Sequence, residues 1–209
     1  MLISFDMEFK IKNCVFQISP MFVSFLCLIL LIDSTGIMLF GLVSAIIHEI
    51  GHIIFICFSK KKISRVSFQL GAIIIDSKGL IDYKNEFLIA MGGCLFNFLF
   101  FALFFINYLY TNNEMCLLFS ASNFGLFIFN LIPIEGLDGM DLIRIIFLKK
   151  YKFYKANHYC KIISFTFIIL MIFVVLSFCL IKRNLLFLIG MLYLIILILI
   201  FSKQKEHYF

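Results

Sequence analysis

Charge is what this chain has least of. Only 14% of its 209 residues are Asp, Glu, Lys or Arg, against 63% hydrophobic, and mean hydropathy is +1.09. A soluble domain of this length lacks the interior to hide so much apolar surface, so its solvent is largely lipid. Proline is nearly missing, with two residues beside 29 Phe. No long linker, low-complexity tract or repeat interrupts the apolar pattern, so residues 1–209 read as one membrane domain. The seven Cys show no CxxC spacing; an odd, dispersed count excludes a disulfide framework and fits small buried hydrophobes.

Six apolar runs are candidate membrane spans, at about 18–32, 37–58, 87–109, 115–133, 162–181 and 185–201. Each approaches the ~20 residues that cross a bilayer core, the first and last being short. The first lacks a small-residue cleavage site and is followed almost at once by another span, so it reads as a retained helix and not a signal peptide. With the N-terminus in the cytoplasm, 16 of the 18 Lys and Arg fall on the cytoplasmic side, as the positive-inside rule expects. Both termini are then cytoplasmic. The net charge of +6 reads as membrane topology, and nucleic acid is not an expected partner.

Between spans 2 and 3 lies "KKKISRVSFQLGAIIIDSKGLIDYKNE", residues 60–86. Val66, Phe68 and Leu70 alternate with polar residues, and "DSKG" is a turn signal, which predicts a β-hairpin or small sheet. The expected fold is thus an all-α polytopic membrane protein with a small β element. A further helix is expected from Asp141 to about Phe147.

Ionisable side chains inside spans are costly and by default functional. The strongly ionisable ones here are His48, Glu49 and His52, in "IHEIGHII". At i and i+4 on a helix, His48 and His52 share a face, so two imidazole nitrogens can point at one Zn²⁺. Glu49 is angled away, where it can take a proton from a water held there and deliver it to a leaving amine. The bland alternative is a polar cluster that holds helices together.

A hydrolytic zinc site wants a third protein ligand and one open position. The candidate segment is "NLIPIEGLDGMD", residues 130–141. Pro133 cannot continue a helix, and Gly136 and Gly139 allow unusual backbone angles, so span 4 should unwind there and turn a carboxylate inward. Asp138 is the first choice among three. Asp141 suits the N-cap of the following "LIRIIF" run, and Glu135 suits headgroups or solvent. His158 and His207 sit in basic segments and read as surface residues.

These residues resemble the site-2 protease family of intramembrane zinc metalloproteases. The resemblance rests on HEIGH, on NLIPIEGLDG, which is similar to an N-x-x-P…L-D-G pattern, and on Gly93-Cys94-Leu95-Phe96-Asn97, which is similar to G-P-x-x-N. It covers about residues 37–142 as the catalytic core, with helices 5 and 6 beyond, and is closest to the stage IV sporulation protease branch. It implies one zinc per chain held by His48, His52 and Asp138, Glu49 as catalytic base and acid, and Asn97 and Asn130 as holders of substrate or oxyanion. It also implies a membrane-tethered protein substrate, such as a pro-transcription factor, membrane regulatory partners, and a bacterial cytoplasmic membrane with the active site near the cytoplasmic side. Cys94 stands where the family has Pro and Met140 where a second Gly is common. The branch's nucleotide-sensing CBS domain is not expected here.

Two other classes compete. A non-catalytic relative would bind transmembrane helices and hold zinc without cutting anything. A metal transporter would need further polar residues along its spans, and almost none are present.

Overall fold

The structure, a computed structural model, describes residues 7–11, 14–33, 36–59, 62–69, 72–78 and 82–182. The expected sixth span, 185–201, and His207 lie outside the described residues.

The alternation Met7, Phe9, Ile11 against Glu8, Lys10 builds strand β1 (Met7–Ile11), paired antiparallel to β2 (Cys14–Ile18). Helix α1 (Pro20–Ile32) and helix α2 (Ile37–Phe58) follow, then β3 (Lys62–Gln69) and β4 (Ala72–Lys78). β3 and β4 form the expected antiparallel hairpin. β2 and β3 pair in parallel, Phe16 opposite Val66, which requires a crossover, and α1 and α2 supply it. The result is one four-stranded sheet in chain order.

The sequence reading of this region needs two corrections. The sheet is not confined to the segment between α2 and α3 but recruits Met7–Ile11 and Cys14–Ile18, whose period-2 alternation was readable. "DSK" is not a turn either: Asp76, Ser77 and Lys78 lie within β4, with Asp76 opposite Arg65. A second irregularity has a simple cause. Ile63 and Val66 are three apart, out of phase for a regular strand, and a register shift between Ile63 and Arg65 absorbs the extra residue. The central position of β3 buries Val66 and Ser67, and the Ser67 hydroxyl donates to Gln17 Oε1 at 3.4 Å.

α2 starts after Gly36, which sits at φ 75°, and the Asp33 carboxylate accepts the Leu39 N–H at 2.8 Å, satisfying one orphan donor of the first turn. α3 (Tyr83–Thr111) runs back antiparallel and ends at Asn112 in the left-handed region, φ 52°. The Asn113 side chain then accepts the Met115 N–H, opening α4 (Glu114–Asn130) after a two-residue connection. A ladder of phenylalanines joins these helices: Phe104–Phe119 and Phe101–Phe124 at 4.6 and 4.7 Å between centroids, and Phe98–Phe127 at 5.3 Å. α2 and α3 meet more closely, backbone to backbone, where Gly51 faces Gly92. Small residues at such a crossing are how helices associate in lipid, where no hydrophobic force drives them together.

From Phe129 onward a second unit forms. It contains an unwound segment, α5 (Asp138–Lys150) and α6 (Phe153–Lys182). α5 is longer than expected at both ends. Its N-cap is Leu137, so Asp141 lies in the first turn beside Asp138 and is not the cap. Lys149 and Lys150 close the last turn, which puts both signs of charge where the helix dipole favours them.

Among the described residues, Ile37–Phe58, Tyr83–Thr111 and Phe153–Val174 are long and apolar enough to cross a membrane. α4 is apolar but has 17 residues. α1, with 13 residues, extends about 20 Å, short of the ~30 Å hydrocarbon core. Large apolar side chains on the candidate spans point outward, Leu103, Ile106 and Phe173 among them, as helices solvated by lipid require. Cys27, Cys57, Cys94, Cys116 and Cys160 form no disulfide among the described residues, and Cys94 and Cys160 are buried.

Candidate metal centre

His48 and His52 lie one turn apart on α2, His48 buried and His52 half-buried. Their Nε2 atoms are 3.2 Å from each other. Two nitrogens each ~2.0–2.1 Å from one tetrahedral ion would lie about 3.3 Å apart, so this spacing suits a shared metal. Each ring is oriented from behind. The Ile89 carbonyl on α3 lies 2.8 Å from His52 Nδ1. A carbonyl can only accept, so Nδ1 carries the proton and Nε2 keeps its lone pair for a ligand.

His48 is held by Asn97, a fully buried residue of α3. The Asn97 amide lies 3.2 Å from His48 Nδ1 through Nδ2, while Oδ1 has no partner among the described residues. The two ends of an amide have the same shape, and the hydrogen-bond network decides between them. With Nδ2 donating to Nδ1, the ring proton of a neutral imidazole sits on Nε2, which then cannot ligate. With Oδ1 turned to the ring, Nδ1–H donates to it and His48 Nε2 carries the lone pair that a metal requires. The donor set thus fits a metal in the second orientation.

Gly93 explains how two imidazoles fit against α3. A Cβ there would stand 2.5 Å from His48 Cε1 and 2.6 Å from the Nε2 atoms of both histidines. Cys94, where the family resemblance expects proline, is buried, and α3 runs through it without a break. Glu49 follows His48 on α2 and is half-buried.

The expected unwinding after span 4 is present. α4 stops at Asn130, Ile132 N–H reaches back to Phe129 O, Ile134 N–H donates to Ile132 O, and Gly136 adopts φ 102°. Gly139, by contrast, is helical. It is required for space: its Cβ would strike the Leu131 carbonyl, so the start of α5 is folded tightly onto the exit of α4. Ile134 and Met140 are buried and pin the segment. Glu135 does not face solvent as expected. Its carboxylate accepts from Arg144 Nη2 at 3.0 Å, and its N–H donates to the Ser164 hydroxyl of α6 at 2.9 Å. That engagement takes Glu135 out of the competition for a metal.

Asp138, the third candidate ligand named by the sequence, is half-buried in the first turn of α5. Asn130 is the last residue of α4, half-buried.

No family model and no curated protein sequence matches the chain. Among solved structures it is similar to "Site-2 Protease from Methanocaldococcus jannaschii", with a TM-score of 0.67 and 22% identity over 95% of each chain. The chain has a site-2 protease fold. Among the described residues, three helices are long and apolar enough to span a bilayer, as those of an integral membrane protein are. Within that fold, His48 and His52 form a pair whose spacing suits a shared metal ion. The sequence named that pair, and it named Gly93 and Asn97 through the stretch similar to G-P-x-x-N. It left no sign of the Ile89 carbonyl, of the space that Gly93 leaves for both imidazoles, or of the contact between Asn97 and His48.

Proposed function

We propose that this protein is an intramembrane zinc metalloprotease that hydrolyses a peptide bond in or near a transmembrane segment of a membrane-tethered substrate. The observation that carries this reading is the pair of imidazoles whose Nε2 atoms converge at 3.2 Å, on a site-2 protease fold. His48, His52 and Asp138 would hold one zinc, which supplies Lewis acidity and brings the pKa of a water at the site toward neutrality.

The remaining work falls to the chain itself. Glu49, beside His48, accepts the proton from the attacking water and delivers it to the leaving nitrogen. Ile89 and Asn97 fix the tautomers of the two histidines. Full burial of Asn97 against His48 favours this orienting role over the substrate contact expected from the sequence, whereas Asn130 at the helix exit suits a contact with substrate or oxyanion. A helical peptide bond is shielded by its own turns, so the substrate must unwind. β4, an outer strand of the sheet, offers an edge to which an extended segment can pair. By charge, both termini and the site belong to the cytoplasmic side, and a bacterial cytoplasmic membrane and a tethered pro-transcription factor are the expected setting.

The decisive experiment is zinc content of the purified protein with cleavage of membrane-tethered test substrates. One zinc in wild type and Glu49→Gln, loss in His48→Ala and Asp138→Ala, and cleavage by wild type only would support the proposal. Stoichiometric zinc with no cleavage of any substrate favours a non-catalytic binding module. Folded wild type without affinity for zinc overturns the reading altogether.

A further inference from the structure

Behind His48, on the side away from His52, the bundle of α2, α3 and α4 contains polar atoms that the site does not use. Ser44 and Asn123 are both fully buried, as is Asn97. Ser44 Oγ, Asn123 Oδ1 and one end of the Asn97 amide have no hydrogen-bond partner among the described residues. Such orphaned groups cost about 1–3 kcal/mol each in a packed interior, so a fold that keeps three of them near each other has a use for them.

Their proximity follows from the helix register. Phe40 on α2 touches Phe119 on α4 at 5.7 Å between centroids. α2 and α4 both run antiparallel to α3, so they run in the same direction. One turn on from that contact, Ser44 and Asn123 are level with each other. One turn further, His48 meets Asn97. The Ser120 hydroxyl, which donates to Phe101 O at 3.3 Å, marks the same level on α3, one turn from Asn97.

Ser44 is also unusual among the helical hydroxyls. Ser24, Ser122, Thr166 and Ser177 each donate to the carbonyl four residues back on their own helix. Ser44 makes no such bond to Phe40, and its hydroxyl is left for the interior. Asn123 donates through Nδ2 to Phe119 O at 2.9 Å, which leaves its carbonyl end to accept.

We propose that Ser44, Asn97 and Asn123 bind one buried water, and that this layer locks the Asn97 amide with Oδ1 toward His48. The hydrogen bonds balance. The water accepts one from Asn97 Nδ2–H and one from the Ser44 hydroxyl, and donates one to Asn123 Oδ1, about the three that buried waters make. Ser44 and Asn123 are then positioning residues. Neither touches the metal or the substrate, and each acts through Asn97 on the tautomer and aim of His48. This rests on the metal-site reading above.

The test is a zinc competition against a chromophoric chelator on the full-length purified protein, with the melting temperature of the metal-free form as a control for folding. Groups that orient a metal-bound histidine typically alter affinity about 10- to 100-fold. Asn97→Leu is expected in that range, and Ser44→Ala and Asn123→Leu, one step removed, at about three- to tenfold. Ser44→Thr, which keeps the hydroxyl, restores the affinity. Asn97→Leu/Asn123→Leu binds zinc no more weakly than Asn97→Leu alone, because the second residue acts only through the first. Wild-type affinity in Ser44→Ala, a variant that removes a single oxygen, overturns the proposal, as do losses that multiply in the double variant. Undiminished zinc in His48→Ala would instead remove the underlying metal site, a separable failure.

Discussion

The two stretches that supply candidate ligands solve the same problem in opposite ways. The histidines sit on a regular helix. Nothing in the backbone of α2 is unusual at His48–His52, and precision comes from outside, through the Ile89 carbonyl, the Asn97 amide and the space left by Gly93. Asp138 reaches its position through irregular backbone: a helix that ends, a left-handed glycine at 136, and a turn so tight that residue 139 has no room for a side chain. A short imidazole on a rigid rod needs only rotation about its side-chain bonds to be aimed, which neighbours can supply. A carboxylate just beyond the end of an apolar helix needs the chain itself turned.

That contrast can be broken at several points. The largest effect should come from Glu49→Gln, expected to lower turnover by about 10²- to 10⁴-fold, the usual worth of a general acid–base, with zinc content unchanged; loss of zinc would make Glu49 structural. Next is Gly93→Ala, whose methyl displaces both imidazoles. At least a tenfold loss of zinc affinity is expected, whereas Gly125→Ala, at an open position, serves as a silent control. If Gly93→Ala binds zinc normally, the histidines are not confined by α3 as described. In the second stretch, Asp138→Ala and Gly139→Ala should both lower zinc occupancy, the first by removing the ligand and the second by moving it, while Asp141→Ala retains metal. Activity surviving in Asp138→Ala but lost in Asp141→Ala would assign the third ligand to the wrong carboxylate. The smallest effect on the site belongs to Glu135→Gln. It weakens the bond to Arg144 and should cost at most about 1.5–3 kcal/mol of stability, read as a lower melting temperature, with zinc retained.

How much was legible beforehand differs between the same two stretches. For α2 the bounds, 37–58, and the shared face of His48 and His52 follow from composition and helical period alone. For residues 130–141 the break at Pro133 was legible, because proline removes a donor whatever its context. The role of Gly139 was not, since glycine marks both unusual angles and close approach, and only the neighbouring Leu131 carbonyl distinguishes them. Asp141 likewise reads as a cap until the helix is seen to start at Asp138. Glu135 reads as exposed until Arg144, nine residues later, turns back to meet it. The sheet shows the same limit. Each strand alternates locally, but the pairing of residues 15–18 with 65–68 spans two helices and leaves no local trace.

By itself, then, the sequence determined the apolar character of the spans, the helix that carries the histidines, and the residue types that serve as candidate ligands, because hydropathy, period and ligand chemistry are properties of residues and their immediate neighbours. Only the tertiary structure decided which amide and carbonyl orient each imidazole, which glycine is needed for space, and that Glu135 is engaged elsewhere. Those depend on side chains brought together from distant parts of the chain, and their positions follow from packing that no local pattern encodes.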